Sequence, residues 1–334
     1  RRDRRICRES SCRRLGGTAP EESRRRRRAV WSPEAGLSGR CRGKSHDTRA
    51  RMTSVGVVGL GLIGRALTRR LVQTGDAPFV FDVVSKAIDG AVADGARATS
   101  SSRELAELSD VVLVCVQTDD QCVTAVSGPD GVLDGARPGA CIAVLSTVTP
   151  ATIEALAPLA VERGVDIVDT PVAGRGMFSV EEGTMSVLVG DDGEIVERLR
   201  PTLLRFASTV VSAGRLGSGD ALKLAHNIVV YAGFAAMIEA VELARAAGVR
   251  DGLVEDVAQA SGALSDLSTF TLPFYKHFRD DPHAPDEDEV LHVAAALVDK
   301  DLADAVKLGE THGLVLPVAQ LLSHSGTRIF PVDR

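Results

Sequence analysis

From Ser54 onward, short apolar runs alternate with stretches whose apolar residues recur at helical spacing. Val55-Gly56-Val57-Val58 reads as a buried strand, and 65–74 as a helix stopped by Gly75. Further strands are predicted at 78–81, 111–116, 141–145, 165–168 and 186–189, with helices between them. Runs that are apolar at successive positions fit strands covered on both faces, as in a parallel sheet flanked by helices. The pattern changes near Gly217. Residues 220–247 contain no proline and one interior glycine, Gly233, before Gly248 ends the run. A helix of that length spans about 40 Å at ~1.5 Å per residue. Helices at 251–260, 287–311 and 317–324 follow, and no strand is read among them. The predicted order is a doubly wound α/β domain over 52–216, then a long linking helix that opens an all-α domain over 217–334.

Charge adds a third segment. The net charge of −6 is uneven: residues 1–51 carry 17 Lys+Arg against 6 Asp+Glu, and the rest is strongly acidic. The basic stretch has Arg24 to Arg28 in a row, with no helical or strand period. It is read as a disordered, non-native extension, with Met52 opening the protein proper. Nucleic-acid binding through this tail would be steeply salt-dependent, and the acidic body argues against it. No apolar stretch is read as approaching the ~20 residues of a membrane span. The six cysteines show no zinc-ligand spacing with partners, and Cys115 and Cys141 fall inside apolar runs, so no metal is expected and a reducing, cytoplasmic setting fits.

Candidate chemistry begins at Gly59-Leu60-Gly61-Leu62-Ile63-Gly64. This G-x-G-x-x-G run leaves a strand and enters a helix, the context of a dinucleotide site in a Rossmann-type sheet. Gly59 permits a tight turn, Gly61 lets backbone approach the pyrophosphate, and Gly64 lets helix pack closely on strand. Asp82 closes the next strand, 18 residues past Gly64, where a carboxylate accepts from both ribose hydroxyls and repels a 2′-phosphate. With Lys86 the one basic residue in the following turn, NAD is favoured over NADP. In the long helix Lys223 and Asn227 are four apart and share a face. A lysine held in a cleft at the domain junction loses affinity for its proton and can exchange it.

With these residues in place, 52–325 resembles the beta-hydroxyacid dehydrogenase family, which includes 3-hydroxyisobutyrate, tartronate-semialdehyde and 6-phosphogluconate enzymes. Four ordered motifs carry the resemblance: Gly59 to Gly64; Asp169-Thr170-Pro171-Val172-Ala173-Gly174 with Gly183-Thr184; Gly219 through Lys223 to Asn227; and Lys300-Asp301. It implies oxidation of a small 3-hydroxy acid, or the reverse reduction. Lys223 would exchange the hydroxyl proton and Asn227 would orient that oxygen. Ala173, Gly174, Arg175 and Lys300 would hold the carboxylate of a small anionic substrate. Val116, Gln117, Thr118, Thr147 and Lys300 would line the cofactor groove.

The chain departs from the family pattern at Ala173, usually serine, and at Arg175, usually glycine. Arg175 could clamp an anion bidentately or point to solvent. The run Lys223, His226, Asn227, Tyr231 echoes 6-phosphogluconate dehydrogenase, but Val230 stands where that enzyme has its acid, which argues against decarboxylation of a sugar phosphate. After Gly326 the usual closing segment is missing. Imine reductases share the fold, but Lys223 and Asp82 argue against them; a silent NAD-binding scaffold is a further alternative. The long apolar helix suggests a homodimer or homotetramer, and nothing suggests a membrane partner.

Overall fold

The computed structural model describes residues 53–263 and 288–330, with positions 265, 268, 272, 273 and 276 between them. All of these fall in one compact unit. The disordered tail expected at 1–51 lies outside the described residues.

The elements run β1 (Val55–Val58), α1 (Leu62–Gln73), β2 (Phe79–Phe81), α2 (Ser85–Ala93), β3 (Arg97–Ala98), α3 (Ser102–Glu107) and β4 (Val111–Val114). Then come α4 (Asp119–Ser127), α5 (Val132–Gly135), β5 (Cys141–Val144), α6 (Pro150–Glu162) and β6 (Asp166–Asp169). These six strands form one sheet in the order β3-β2-β1-β4-β5-β6, with every pairing parallel. Winding reverses between β1 and β4, and a sheet of this order binds dinucleotides in the crevice at that reversal.

The apolar runs explain the burial. Successive side chains of a strand point to opposite faces. Val55 and Val57 of β1, Leu113 of β4 and Ala143 of β5 therefore share one core with Leu67 and Leu71 of α1. Val58, Val112, Val114, Ile142 and Val144 share the other with Leu105 of α3 and Leu156 of α6. Each fully buried valine or leucine contributes about 1.5–3 kcal/mol. Helix α1 begins at Leu62 rather than at the expected position 65, because the end of the glycine run is already its first turn.

The strand read at 186–189 is a correction to the single-sheet picture. The next elements are β7 (Val172–Ala173), α7 (Met177–Glu182), β8 (Met185–Val189), α8 (Glu194–Leu203) and β9 (Ala207–Ser212). They include a separate three-stranded sheet, β7-β8-β9, in which β7 is antiparallel and β9 parallel to β8. The apolar run of β8 looked like the others because Met185, Val187 and Val189 are fully buried. Pro171, just after β6, has no N–H with which to extend the ladder, and the chain turns back there. The Leu188 N–H then donates to the Pro171 carbonyl (2.9 Å) and the Gly190 N–H to the Asp169 carbonyl (2.9 Å), which lays β8 along the end of β6.

Past Gly217 the chain is helical: α9 (Ser218–Ala246), α10 (Leu253–Ser261), α11 (Asp288–Thr311), α12 (Pro317–Leu322) and α13 (Gly326–Ile329). Position 287, the expected start of α11, lies outside the described residues. Phe234 of α9 packs with Val298 and Leu302 of α11, Ala319 of α12 and Ile329 of α13. One expectation is overturned here. By length and composition α9 could cross a membrane, and about a third of its most apolar stretch is buried. A core helix of a globular protein passes the same test, and α9 carries Asp220 and Asn227 buried within the protein.

Candidate active site

At the end of β1, Gly59 has φ +89°, and a Cβ there would lie 2.3 Å from the Cys115 carbonyl oxygen. A Cβ at Gly64 would lie 1.9 Å from the Gly59 carbonyl oxygen. A Cβ at Gly61 would meet nothing within 4 Å. Two glycines are therefore demanded by packing, and the middle one faces open space. Gly61 is also the N-cap of α1, with no capping side chain and no acidic residue in the first turn. Free N–H groups and the positive end of the helix dipole meet at that opening, so the residues present fit a dinucleotide pyrophosphate. Leu60 is buried, Leu62 exposed and Ile63 between the two.

Asp82 follows β2 directly. Its Oδ2 accepts from the Leu60 N–H (2.6 Å) and its Oδ1 from the Val84 N–H (2.8 Å). The carboxylate that sequence assigns to the ribose thus also holds the glycine loop. After β4, the Val116 N–H donates to Ser146 Oγ (2.8 Å) and the Gln117 N–H to Gln121 Oε1 (2.9 Å). Thr118 Oγ1 accepts from the Gln121 N–H (3.2 Å) and caps α4, so its hydroxyl already has a structural partner.

The other half of the site is on α9. Lys223 is half-buried, and no hydrogen bond or ion pair engages its ammonium among the described residues. Burial lowers its pKa, and Lys300 adds to that, while Asp301 and Asp220 pull the other way. One turn on, Asn227 is buried, and its Nδ2 donates to Asp301 Oδ2 at 2.7 Å. A carboxylate can only accept, which fixes the amide's orientation. His226 Nδ1 lies 3.4 Å from Asn227 Oδ1. The second N–H of Asn227 has no hydrogen-bond partner among the described residues. The Tyr231 hydroxyl, a further turn on, also donates to Asp301 Oδ2, at 3.2 Å.

Lys300 and Asp301 stand side by side on α11. Lys300 Nζ donates to the Thr147 carbonyl (2.7 Å) and lies 2.8 Å from Asp301 Oδ1 and 3.5 Å from Asp304 Oδ2. Burial works against its charge, but Asp301, Asp304 and Asp119 outweigh it and raise its pKa. Two of these contacts are hydrogen bonds, to Thr147 and Asp304, and that to Asp301 is an ion pair, so Lys300 bridges α11 to the loop after β5. The same loop is held twice more: the Val148 N–H donates to Asp220 Oδ1 (3.3 Å) and the Thr149 N–H to Asp119 Oδ2 (3.0 Å). Three successive residues are thus anchored by side chains from α11, α9 and α4.

The substrate loop is tightly packed. A Cβ at Gly174 would meet Met185 Sδ at 2.8 Å and Ser179 at 2.9 Å. The Arg175 N–H donates to Ser179 Oγ (2.8 Å), and its guanidinium pairs with Glu182 across α7. Paired with Glu182, the guanidinium is still 38% exposed, open both to solvent and to an anion. Ala173 lies in β7. Gly183 has φ +72°, and a Cβ there would meet Arg70 Nη2 at 2.5 Å, so α1 and this loop are fitted to each other.

Sequence reasoning missed the buried carboxylates beneath the site. Asp169, fully buried, accepts from the Gly217 N–H (2.8 Å) and the Asp220 N–H (2.9 Å), capping α9 from the end of β6. Asp220 is also fully buried, and its Oδ2 has no partner among the described residues. Burial, reinforced by Asp169, raises its pKa well above the carboxylate range. The signal was an aspartate ending the apolar run Ile167-Val168-Asp169.

The comparisons agree with this layout. Residues 54–214 match the NAD binding domain of 6-phosphogluconate dehydrogenase, and 217–325 match the family described as NAD-binding of NADP-dependent 3-hydroxyisobutyrate dehydrogenase. An uncharacterized oxidoreductase of Mycobacterium tuberculosis is 33% identical over 274 residues, 80% of this chain and 90% of the relative. The 2-(hydroxymethyl)glutarate dehydrogenase of Eubacterium barkeri is 28% identical over 280 residues, 84% and 89% of the two chains. The solved structure of Mycobacterium tuberculosis 3-hydroxyisobutyrate dehydrogenase with L-serine superposes with a TM-score of 0.69 at 26% identity, covering 83% and 93% of the two chains. A glycine run fitted to pyrophosphate and a lysine–asparagine pair on the linking helix thus lie in a chain that belongs to the beta-hydroxyacid dehydrogenase family, as an NAD(P)-dependent oxidoreductase.

Proposed function

We propose that the protein interconverts a small 3-hydroxy acid and its semialdehyde or ketone, using NAD. The observation that carries this reading is Lys223: a half-buried amine without a partner among the described residues, one turn from an amide whose orientation Asp301 fixes. Lys223 takes the hydroxyl proton during oxidation and returns it during reduction. Asn227 donates its free N–H to the same oxygen and stabilises the charge that develops there. Gly174 and Arg175 bring backbone N–H groups and a guanidinium to the substrate carboxylate, beside Ala173, and the Lys300 charge supports both ligands. Gly59 to Gly64, Asp82, Val116, Gln117, Thr118 and Thr147 hold the dinucleotide, whose nicotinamide supplies hydride chemistry when bound.

Relatives named for 3-hydroxyisobutyrate, 2-(hydroxymethyl)glutarate and L-serine all act on a hydroxyl near a carboxylate, which supports this substrate class. The test is NAD-linked turnover over 3-hydroxyisobutyrate, glycerate, 3-hydroxypropionate and serine. Turnover of at least one is expected. Reduction of a cyclic imine with no hydroxy-acid turnover would overturn the reading.

The NAD preference rests on Asp82. In Asp82→Ala the efficiency with NAD is expected to fall about 10–100-fold, the scale of lost hydrogen bonds to a charged group. The ratio of NADP to NAD activity should rise. A wild-type protein that already prefers NADP would refute the assignment.

A homodimer or homotetramer fits the exposed apolar residues of α9, where Val229 and Leu243 are 73% and 72% exposed. A reducing, cytoplasmic setting fits the unpaired Cys115, Cys122 and Cys141.

A further inference from the structure

Asp301 Oδ2 accepts two hydrogen bonds from α9, one from Asn227 Nδ2 (2.7 Å) and one from the Tyr231 hydroxyl (3.2 Å). Positions 223, 227 and 231 are each four apart, so amine, amide and phenol form one row on the helix. The other carboxylate oxygen faces Lys300 Nζ at 2.8 Å. Asp301 therefore sits between two pulls: Lys300 on one oxygen, the amide and the phenol on the other. Without the phenol, Oδ2 would have one donor, and the carboxylate could turn toward Lys300. Asn227 would then lose the partner that aims its remaining N–H. The phenol is itself placed by packing. Its ring lies 6.4 Å from Phe234, which in turn lies 6.5 Å from Phe330. The buried core of α9, α11 and α13 thus sets the position of a hydroxyl two turns from Lys223.

We propose that Tyr231 is a positioning residue: its hydroxyl, donated to Asp301, fixes the carboxylate that orients Asn227 toward the substrate oxygen. The inference rests on the role given above to Asn227. It separates the phenol's polar contribution from its packing, because Tyr231→Phe keeps the ring and removes only the O–H.

The test has a kinetic and an activity-independent arm. In Tyr231→Phe, kcat is expected to fall about tenfold, as for a lost hydrogen bond to a charged group. KM for NAD should hold, and the melting temperature should fall by no more than about 10 °C, the share of that one hydrogen bond, leaving the variant folded at assay temperature. In the Asn227→Ala background the same substitution should change kcat by less than about twofold, since residues acting through one another are not additive. An unchanged kcat, or the same tenfold loss in both backgrounds, overturns the proposal. In the second arm, the difference in phenolate absorbance between wild type and Tyr231→Phe isolates Tyr231 from the chain's other tyrosine, Tyr275. Burial and the adjacent Asp301 push the phenol well above its ordinary range, so Asp301→Asn should lower the midpoint. A midpoint indifferent to Asp301→Asn overturns the contact whether or not any hydroxy acid is turned over. Absent turnover with the midpoint shift intact would fall on the functional reading instead.

Discussion

Lys223→Ala is expected to lower kcat for hydroxy-acid oxidation by about 10²–10⁴-fold, the range of a positioned general acid–base group. NAD affinity, measured by titration, should stay within about threefold, since the glycine loop and Asp82 are untouched. The direction of the pH dependence follows from the lysine's surroundings. Burial, with Lys300, lowers its pKa against the pull of Asp301 and Asp220. Oxidation needs the neutral amine, so kcat/KM for oxidation should rise with pH and level off at a midpoint below 10.5, the ordinary lysine value. Reduction needs the ammonium and should fall with pH through the same midpoint. Both limbs should vanish in Lys223→Ala, whose residual rate comes from substrate orientation alone. Full activity in this variant, or an oxidation rate that falls with rising pH, would remove Lys223 from the chemistry. His226 is a neighbour whose pKa is also lowered, by burial first and then by Lys223; His226→Asn should leave the midpoint assigned to Lys223 in place.

The fold and the lysine–asparagine pair could be read from sequence for a common reason. Each is a local pattern: a strand buried on both faces must be apolar at successive positions, and a shared helical face must repeat at four. Gly59, Gly61 and Gly64 were legible likewise, because each answers a constraint within one turn of chain. What could not be read depends on contacts across long separations. Asp301 lies 74 residues from Asn227, and its pairing follows only from the packing of α11 on α9. The Lys300 to Thr147 bond spans 153 residues; sequence placed both residues near the cofactor without showing that they bond to each other. The second sheet escaped because β8 is as apolar as the strands of the first. Pro171, which closes off the ladder of β6, has no period to betray it. Arg175 was left open for the same reason, its Glu182 partner being set by the fold of a short loop.

Asp169→Ala is expected to destabilise the protein by about 3–5 kcal/mol. The N-cap of α9 is Gly217, which offers no capping side chain. The orphan N–H groups of that turn are satisfied by Asp169 from 48 and 51 residues away, at 2.8 Å to Gly217 and 2.9 Å to Asp220. The surroundings are built to this carboxylate: a Cβ at Gly190 would stand 1.9 Å from its Oδ1, and one at Gly219 2.8 Å from its Oδ2. Alanine leaves at least two buried donors unpaired at about 1–3 kcal/mol each, together with the cavity left by the removed carboxylate. Asp169→Asn keeps one acceptor but turns an N–H₂ toward a backbone N–H, so it should recover less than half of the loss. Denaturant unfolding at neutral pH measures both. The effect reaches the chemistry because Asp220 is one turn before Lys223, so the turn that Asp169 caps also sets the register of the amine. Asp169→Ala should therefore lower kcat even under conditions where the variant is fully folded. A loss below about 1 kcal/mol with kcat intact would show that α9 holds its start through its own packing, and that the lysine needs no support from β6.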